Sequence, residues 1–202
     1  MLAETLWSIE APLAQGTLRV FEPTQTEVLT AAPLLAAFYN DSHNSAMLTN
    51  TRDLTALEVV ETYQALRTNG GRTFLLEQDG VLMGDADFRN VTGSEAEFAI
   101  LIGSRTQQSR GLGTRYAAMM HIAALRVLGF ERIYATIIPM NIASHRMLEK
   151  LGYQLDQSLR AASFTDAEDD IAMSIDWAQF KRAHTELLTQ VVIIARAPLN
   201  NL

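Results

Sequence analysis

The chain has 202 residues, 48% of them hydrophobic and 19% charged, with a formal net charge of −7 and no cysteine. This length is expected to fold as a single domain over residues 1–202 with a sizeable core, and the acidic balance argues against nucleic-acid binding, which needs a basic face. The missing cysteine excludes disulfides, thiolate metal sites and a cysteine acyl-enzyme; with acids in the first ten residues and no long apolar run, no secretory signal or membrane span is expected, and a cytoplasmic location is.

In chain order, Gly16 to Glu22 alternates as a first strand, Pro23 to Thr26 forms a turn, and Val28 to Tyr39 reads as an apolar helix ended by Asn40 to Asn44. Leu54 to Leu66 is a second helix, with polar residues at its start and Asn69-Gly70-Gly71 at its stop. Thr73 to Glu77, Val81 to Arg89 and Glu95 to Ile102 are strands, the first two joined by a turn containing Asp79-Gly80. A helix follows, with Tyr116, Met120, Ala123 and Val127 at helical spacing and Gly129 as its stop. Arg132 to Ile138 is a further strand, and a short helix from Ile142 to Lys150 ends at Gly152. Tyr153 to Ala161 and Asp170 to Asp176 read as a last strand pair around a polar turn. Trp177 to Gln190 reads as a helix, and a β-rich run opens a C-terminal extension, 191–202. That run either packs on its own core or makes an edge contact that builds a homodimer.

The densest chemistry sits between the strand Glu95 to Ile102 and the long helix, at Gln107-Gln108-Ser109-Arg110-Gly111-Leu112-Gly113. A helix start has unpaired N–H groups and the positive end of the macrodipole, and glycine lets a ligand approach that backbone. Arg110 adds a charge that can fork onto phosphate oxygens. The stretch is a phosphate cradle or a plain tight connection; it is not the Walker pattern, because no Gly-Lys-Ser/Thr follows. Gln108-Ser109-Arg110-Gly111-Leu112-Gly113 resembles the acetyl-coenzyme A pyrophosphate loop of the GNAT family of N-acetyltransferases, Gln/Arg-x-x-Gly-x-Gly/Ala. Downstream, Asn141-Ile142-Ala143-Ser144 and the helix ending in Gly152-Tyr153 resemble that family's closing motif. The resemblance implies an α+β GNAT fold, a mixed central sheet flanked by helices, with acetyl-coenzyme A as cosubstrate. It further implies contacts to the cofactor from Leu101, Ile102, Gln108, Ser109, Arg110, Gly111, Leu112, Gly113, Thr114 and Asn141.

Acetyl transfer from a thioester to an amine needs a neutral amine, a polarised carbonyl and a hydrogen bond or proton for the leaving sulfur, with positioning supplying most of the gain. Glu97 stands where relatives in this family carry a catalytic or water-linked glutamate. Glu95 shares its sheet face, and Asp85 and Asp87 lie on the preceding strand; the alternative for each acid is a solvated strand residue. Relatives often protonate the sulfur with a tyrosine at the position of Leu148. Its absence, with Asn-x-x-Ser and Leu-Glu-Lys-Leu-Gly, resembles the ribosomal-protein N-terminal acetyltransferase branch, in which the serine at Ser144 is the proposed acid. Ser144 and Asn141 are alternatively helix-capping residues. His43 either borders the acceptor pocket or sits in a polar loop, His121 is a packed helix residue, and no histidine pair has metal-ligand spacing, so no metal is expected. The expected activity is transfer of acetyl to a primary amine, either a peptide or protein α-amine or a small-molecule amine. A coenzyme A-binding module without chemistry is the remaining alternative.

Overall fold

The computed structural model describes residues 5–48, 52–108 and 110–196. Its strands are β1 (Leu6–Pro12), β2 (Thr17–Phe21), β3 (Arg72–Gln78), β4 (Val81–Thr92), β5 (Glu95–Ile102), β6 (Arg132–Ile137), β7 (Tyr153–Leu155), β8 (Ile171–Ile175) and β9 (Val192–Arg196). They form one nine-stranded sheet in the order β7-β8-β6-β5-β4-β3-β2-β1-β9. Every pairing is antiparallel except β5 with β6. This is the mixed α+β sheet expected.

The helices are α1 (Gln25–Asn40), α2 (Ser42–Met47), α3 (Ala56–Thr68), α4 (Leu112–Ala123), α5 (Ile142–Leu151), α6 (Leu159–Ala162), α7 (Trp177–Ala183) and α8 (Thr185–Gln190). Alternation along the strands sorts the two faces of the sheet. Ala86 and Phe88 of β4 and Ala96 and Phe98 of β5 join a core with α4, α5 and α7. Asp85, Asp87, Glu95 and Glu97 therefore fall on the other face, where α1 and α3 pack over Phe21 and Leu75. Every residue of α4 from Tyr116 to Ala123 is buried. His121 is among them, 0% exposed. Its Nδ1 donates to the Ala117 carbonyl at 2.7 Å, which leaves Nε2 to accept from the Tyr153 hydroxyl at 2.7 Å. Burial pushes this imidazole down to about 4, so it is a neutral core residue. Among the described residues, no helix is long and apolar enough to cross a membrane.

Several elements depart from the sequence reading. Leu6–Pro12, unassigned from sequence, is a strand paired with both β2 and β9. Asp41 closes α1 and its side chain accepts from the His43 and Asn44 N–H groups, so the expected loop is the short helix α2. The strand expected over 153–161 stops at Leu155. Asp156 and Ser158 accept backbone N–H groups there, and Ser158 caps α6. The single helix expected over 177–190 breaks at His184, whose ring is hydrogen-bonded to the Lys150 carbonyl.

The C-terminal run packs on its own chain. β9 pairs with β1 from Leu6↔Arg196 to Glu10↔Val192, Val191 is 6% exposed, and Arg196 donates to Glu22 and Glu27. Residues 197–202 of the extension lie outside the described residues. A chain ended at Gln190 should melt lower by about 5 °C or more, since 1 kcal/mol shifts a domain of this size by roughly 2–4 °C. A circular-dichroism melt that does not move would show that β9 carries no stability.

Candidate active site

The site grows from one interrupted pairing. Parallel β5 and β6 meet only at Glu95↔Arg132, Ala96↔Ile133 and Glu97↔Tyr134. Beyond that point β5 stays with β4 as far as Ile102, and β6 stays with β8 as far as Ile137. The strands part, and a cleft of about 660 Å³ opens between them. Its walls are Glu97 to Ile100 of β5, Ala135 to Asn141 along and after β6, Ser144 and Leu148 of α5, and Met47 and Leu48 at the end of α2. Leu101 and Ile102 sit just past this lining, 8% and 9% exposed.

Four acids share the sheet face beside the cleft, and their partners separate them. Asp87 is held by Arg89 through two contacts of 2.6 and 2.5 Å. Glu95 accepts from Arg160 at 2.8 Å and from the Tyr134 hydroxyl at 3.4 Å. Asp85 is 4% exposed and accepts from the hydroxyls of Tyr39 and Tyr63 at 2.7 and 2.8 Å. Burial pushes its carboxyl up to about 6, although both tyrosines oppose the shift. Of these four, Glu97 lines the cleft. It accepts from Thr136 Oγ1 at 2.9 Å and Asn90 Nδ2 at 2.8 Å. Burial raises its carboxyl above the usual glutamate value, against the lowering effect of Thr136, Arg89 and Asn90. A carboxylate with raised basicity at a cleft wall is suited to taking a proton. Asp166, Asp169 and Asp170 of the β7–β8 connection also line the cleft. From sequence Asp166 and Asp169 read only as a polar turn and Asp170 as the start of the following strand.

At the other end of β5 the chain turns into α4. Gly111 is the N-cap, at φ 82° and with no side-chain cap, so the first-turn N–H groups of Leu112, Gly113 and Thr114 have no intrahelical partner. Among the described residues, a Cβ on Gly111 would meet no atom within 4 Å, so none of them closes the space beside the helix start. A Cβ on Gly113 would instead touch Ile102 and Met147 at 3.5 Å. Gly111 thus supplies the left-handed backbone that opens the helix, while at Gly113 a Cβ would make only ordinary van der Waals contact. Gln108 turns inward, its Nε2 donating to Asn44 Oδ1 and the Ile102 carbonyl at 2.8 Å each. Ser109 lies outside the described residues. Arg110, Gly111, Leu112 and Thr114 border a second cavity of about 750 Å³, with Arg115 and Lys150 also on its wall. Asn141 caps α5, its Oδ1 accepting from the Ser144 N–H at 3.1 Å, and both residues face the cleft. Leu148 occupies the expected tyrosine position and is 2% exposed. His43 is exposed and is not part of the lining.

The family described as acetyltransferase (GNAT) domain matches residues 18–154. Among solved structures, Mycobacterium smegmatis RimJ in complex with CoA-disulfide is similar at 16% identity and a TM-score of 0.70, over 94% of this chain and 97% of that one. AAC(6′)-Ib in complex with paromomycin and acetyl-CoA is similar at 16% identity and a TM-score of 0.69, over 84% and 98%. A spermidine N-acetyltransferase SpeG chimera from Vibrio cholerae and hSSAT is similar at 18% identity and a TM-score of 0.61, over 81% and 97%. At these identities the likeness is one of fold. No curated protein matches the chain in sequence.

The raised carboxyl of Asp85 carries a pH signature. The folded protein holds that proton more tightly than the unfolded chain does. Its stabilising contribution is full below the ordinary aspartate pKa near 4 and is lost as pH rises through about 6. Asp85→Asn removes the titration. Urea unfolding at pH 4 and pH 7 should show wild type losing on the order of 2 kcal/mol relative to the variant across that range. Parallel stability profiles for the two proteins would contradict it.

Proposed function

The chain belongs to the GNAT acetyltransferase family, and on that premise we propose that its split sheet binds acetyl-coenzyme A and passes the acetyl group to a primary amine, the α-amine of a peptide or protein. The observation that carries this reading is the placing of Glu97 where β5 and β6 part, with an open helix start one strand length away. Bound there, the cosubstrate supplies a thioester activated for acyl transfer.

The chain's own residues have separable tasks. Leu112, Gly113 and Thr114 offer backbone N–H groups to the pyrophosphate, with Arg110 adding charge at the same helix start. The second cavity, with Arg115 and Lys150, suits the nucleotide end beyond the pyrophosphate. Gln108 braces the loop. Ala99 and Ile100 line the cleft as the strand runs on to Leu101 and Ile102, where the thioester arm would lie, and Asn141 presents its amide from the opposite wall. Glu97 takes the proton released as the amine nitrogen bonds to the acyl carbon, directly or through a water. Ser144 gives a hydrogen bond to the sulfur as the carbon–sulfur bond breaks.

The acidic wall of Asp166, Asp169 and Asp170 favours a second acceptor class, a small amine with more than one positive charge. Thiol release with a panel of peptides and polyamines separates the two classes.

Glu97→Gln tests the reading. Turnover should fall by about 10² to 10⁴-fold, the usual range for a general base, with acetyl-coenzyme A affinity unchanged by calorimetry. Glu97 accepts a proton only when ionised, so the acidic limb of the wild-type profile should lie above the ordinary glutamate value. The variant should lack that limb. Full activity in the variant at every pH would remove Glu97 from the chemistry.

A further inference from the structure

Asn44 belongs to none of the sequence motifs and takes no part in the chemistry above. Yet it is 2% exposed, and its amide is committed across the fold. Nδ2 donates to the Phe38 carbonyl at 2.9 Å and to the Gly103 carbonyl at 2.9 Å, and Oδ1 accepts from Gln108 Nε2 at 2.8 Å. Gln108 gives its other N–H to the Ile102 carbonyl at 2.8 Å. One side chain therefore joins the last turn of α1, the residue just past β5, and the loop that leads to Gly111.

Packing supports the same junction. A Cβ on Gly103 would fall 2.0 Å from the Phe38 ring, so the ring lies directly on this backbone. The Gly103 N–H is taken by the Met83 carbonyl at 2.8 Å. The start of the loop is thus fixed to α1 and β4, while residues 104–108 are tied back by Gln108 and Asn44. α2, which carries Asn44, ends at Met47, and both Met47 and Leu48 line the cleft.

We infer that Asn44 is a positioning residue: through Gln108 and Gly103 it holds residues 104–108 in the shape from which the chain presents the α4 N-terminus to a phosphate. The inference rests on the cofactor reading given above. An alkyl side chain at this place leaves the Phe38 and buried Gly103 carbonyls and one Gln108 N–H without this partner, and the loop loses these hydrogen bonds to α2.

The test uses the full chain and three variants, Asn44→Ala, Gln108→Ala and the double variant. In ligand-free protein, amide exchange across 104–108 should quicken at least tenfold in Asn44→Ala, with β3 and β4 unchanged. Acetyl-coenzyme A affinity, measured by calorimetry well below the melting temperature, should weaken about tenfold in each single variant. The double variant should be no weaker than the worse single one, because both remove the same brace. A general loss of stability would lower the melting temperature without this shared effect on affinity. Unchanged loop exchange, or single-variant effects that multiply in the double variant, would overturn the inference. If wild type binds no acetyl-coenzyme A, the cofactor reading fails, and with it the role assigned to Asn44 in presenting the helix start. The exchange comparison then reports only whether Asn44 braces the loop.

Discussion

The site depends on a pairing that cannot be completed. Each of the two strands keeps an antiparallel neighbour on its far edge. β5 stays with β4 and β6 with β8, and the two separate after Glu97 and Tyr134. Each edge left at the fork exposes backbone groups that sheet pairing would otherwise consume. The β4–β5 pairing is a hairpin and the β6–β8 pairing joins strands distant in sequence, so the opening is built into the sheet itself.

That geometry also decides which acid is available. Four carboxylates lie on one face of β4 and β5, within two residues of one another along each strand. Asp87 and Glu95 are neutralised by arginines, and Asp85 is sealed beneath two tyrosines. Glu97 has neutral hydrogen-bond donors from Thr136 and Asn90 and opens on the cleft. Burial without a dedicated cation raises its basicity, which is the condition a proton acceptor needs near neutral pH. Selection among these acids is a matter of partners, since their residue types and strand positions are nearly equivalent.

Much of this was legible in the sequence where local rules decide. Gly111 and Gly113 between an apolar strand and an apolar helix marked the turn into α4, and Asn141 three residues before Ser144 marked the start of α5. Alternation placed Glu95 and Glu97 together. What escaped depends on distant partners. Leu6–Pro12 is paired on both edges as a strand only because β9, itself largely exposed, returns from the far end of the chain. Tyr153 to Ala161 has the residues of a strand, yet Asp156 and Ser158 spend their side chains on backbone N–H groups and end it early. Asn44 read as part of a helix stop, because nothing near it in sequence reveals that Gln108 and Gly103 are its partners.

The central claim is that the fork between β5 and β6 and the open start of α4 form one cofactor site. Amide hydrogen exchange of the intact protein, with and without saturating acetyl-coenzyme A, examines it directly. Slowed exchange should be confined to two segments, 98–102 along and just past the cleft and 111–115 on the second cavity. Binding without protection at either segment, or protection centred on α1 and α3 instead, would contradict it.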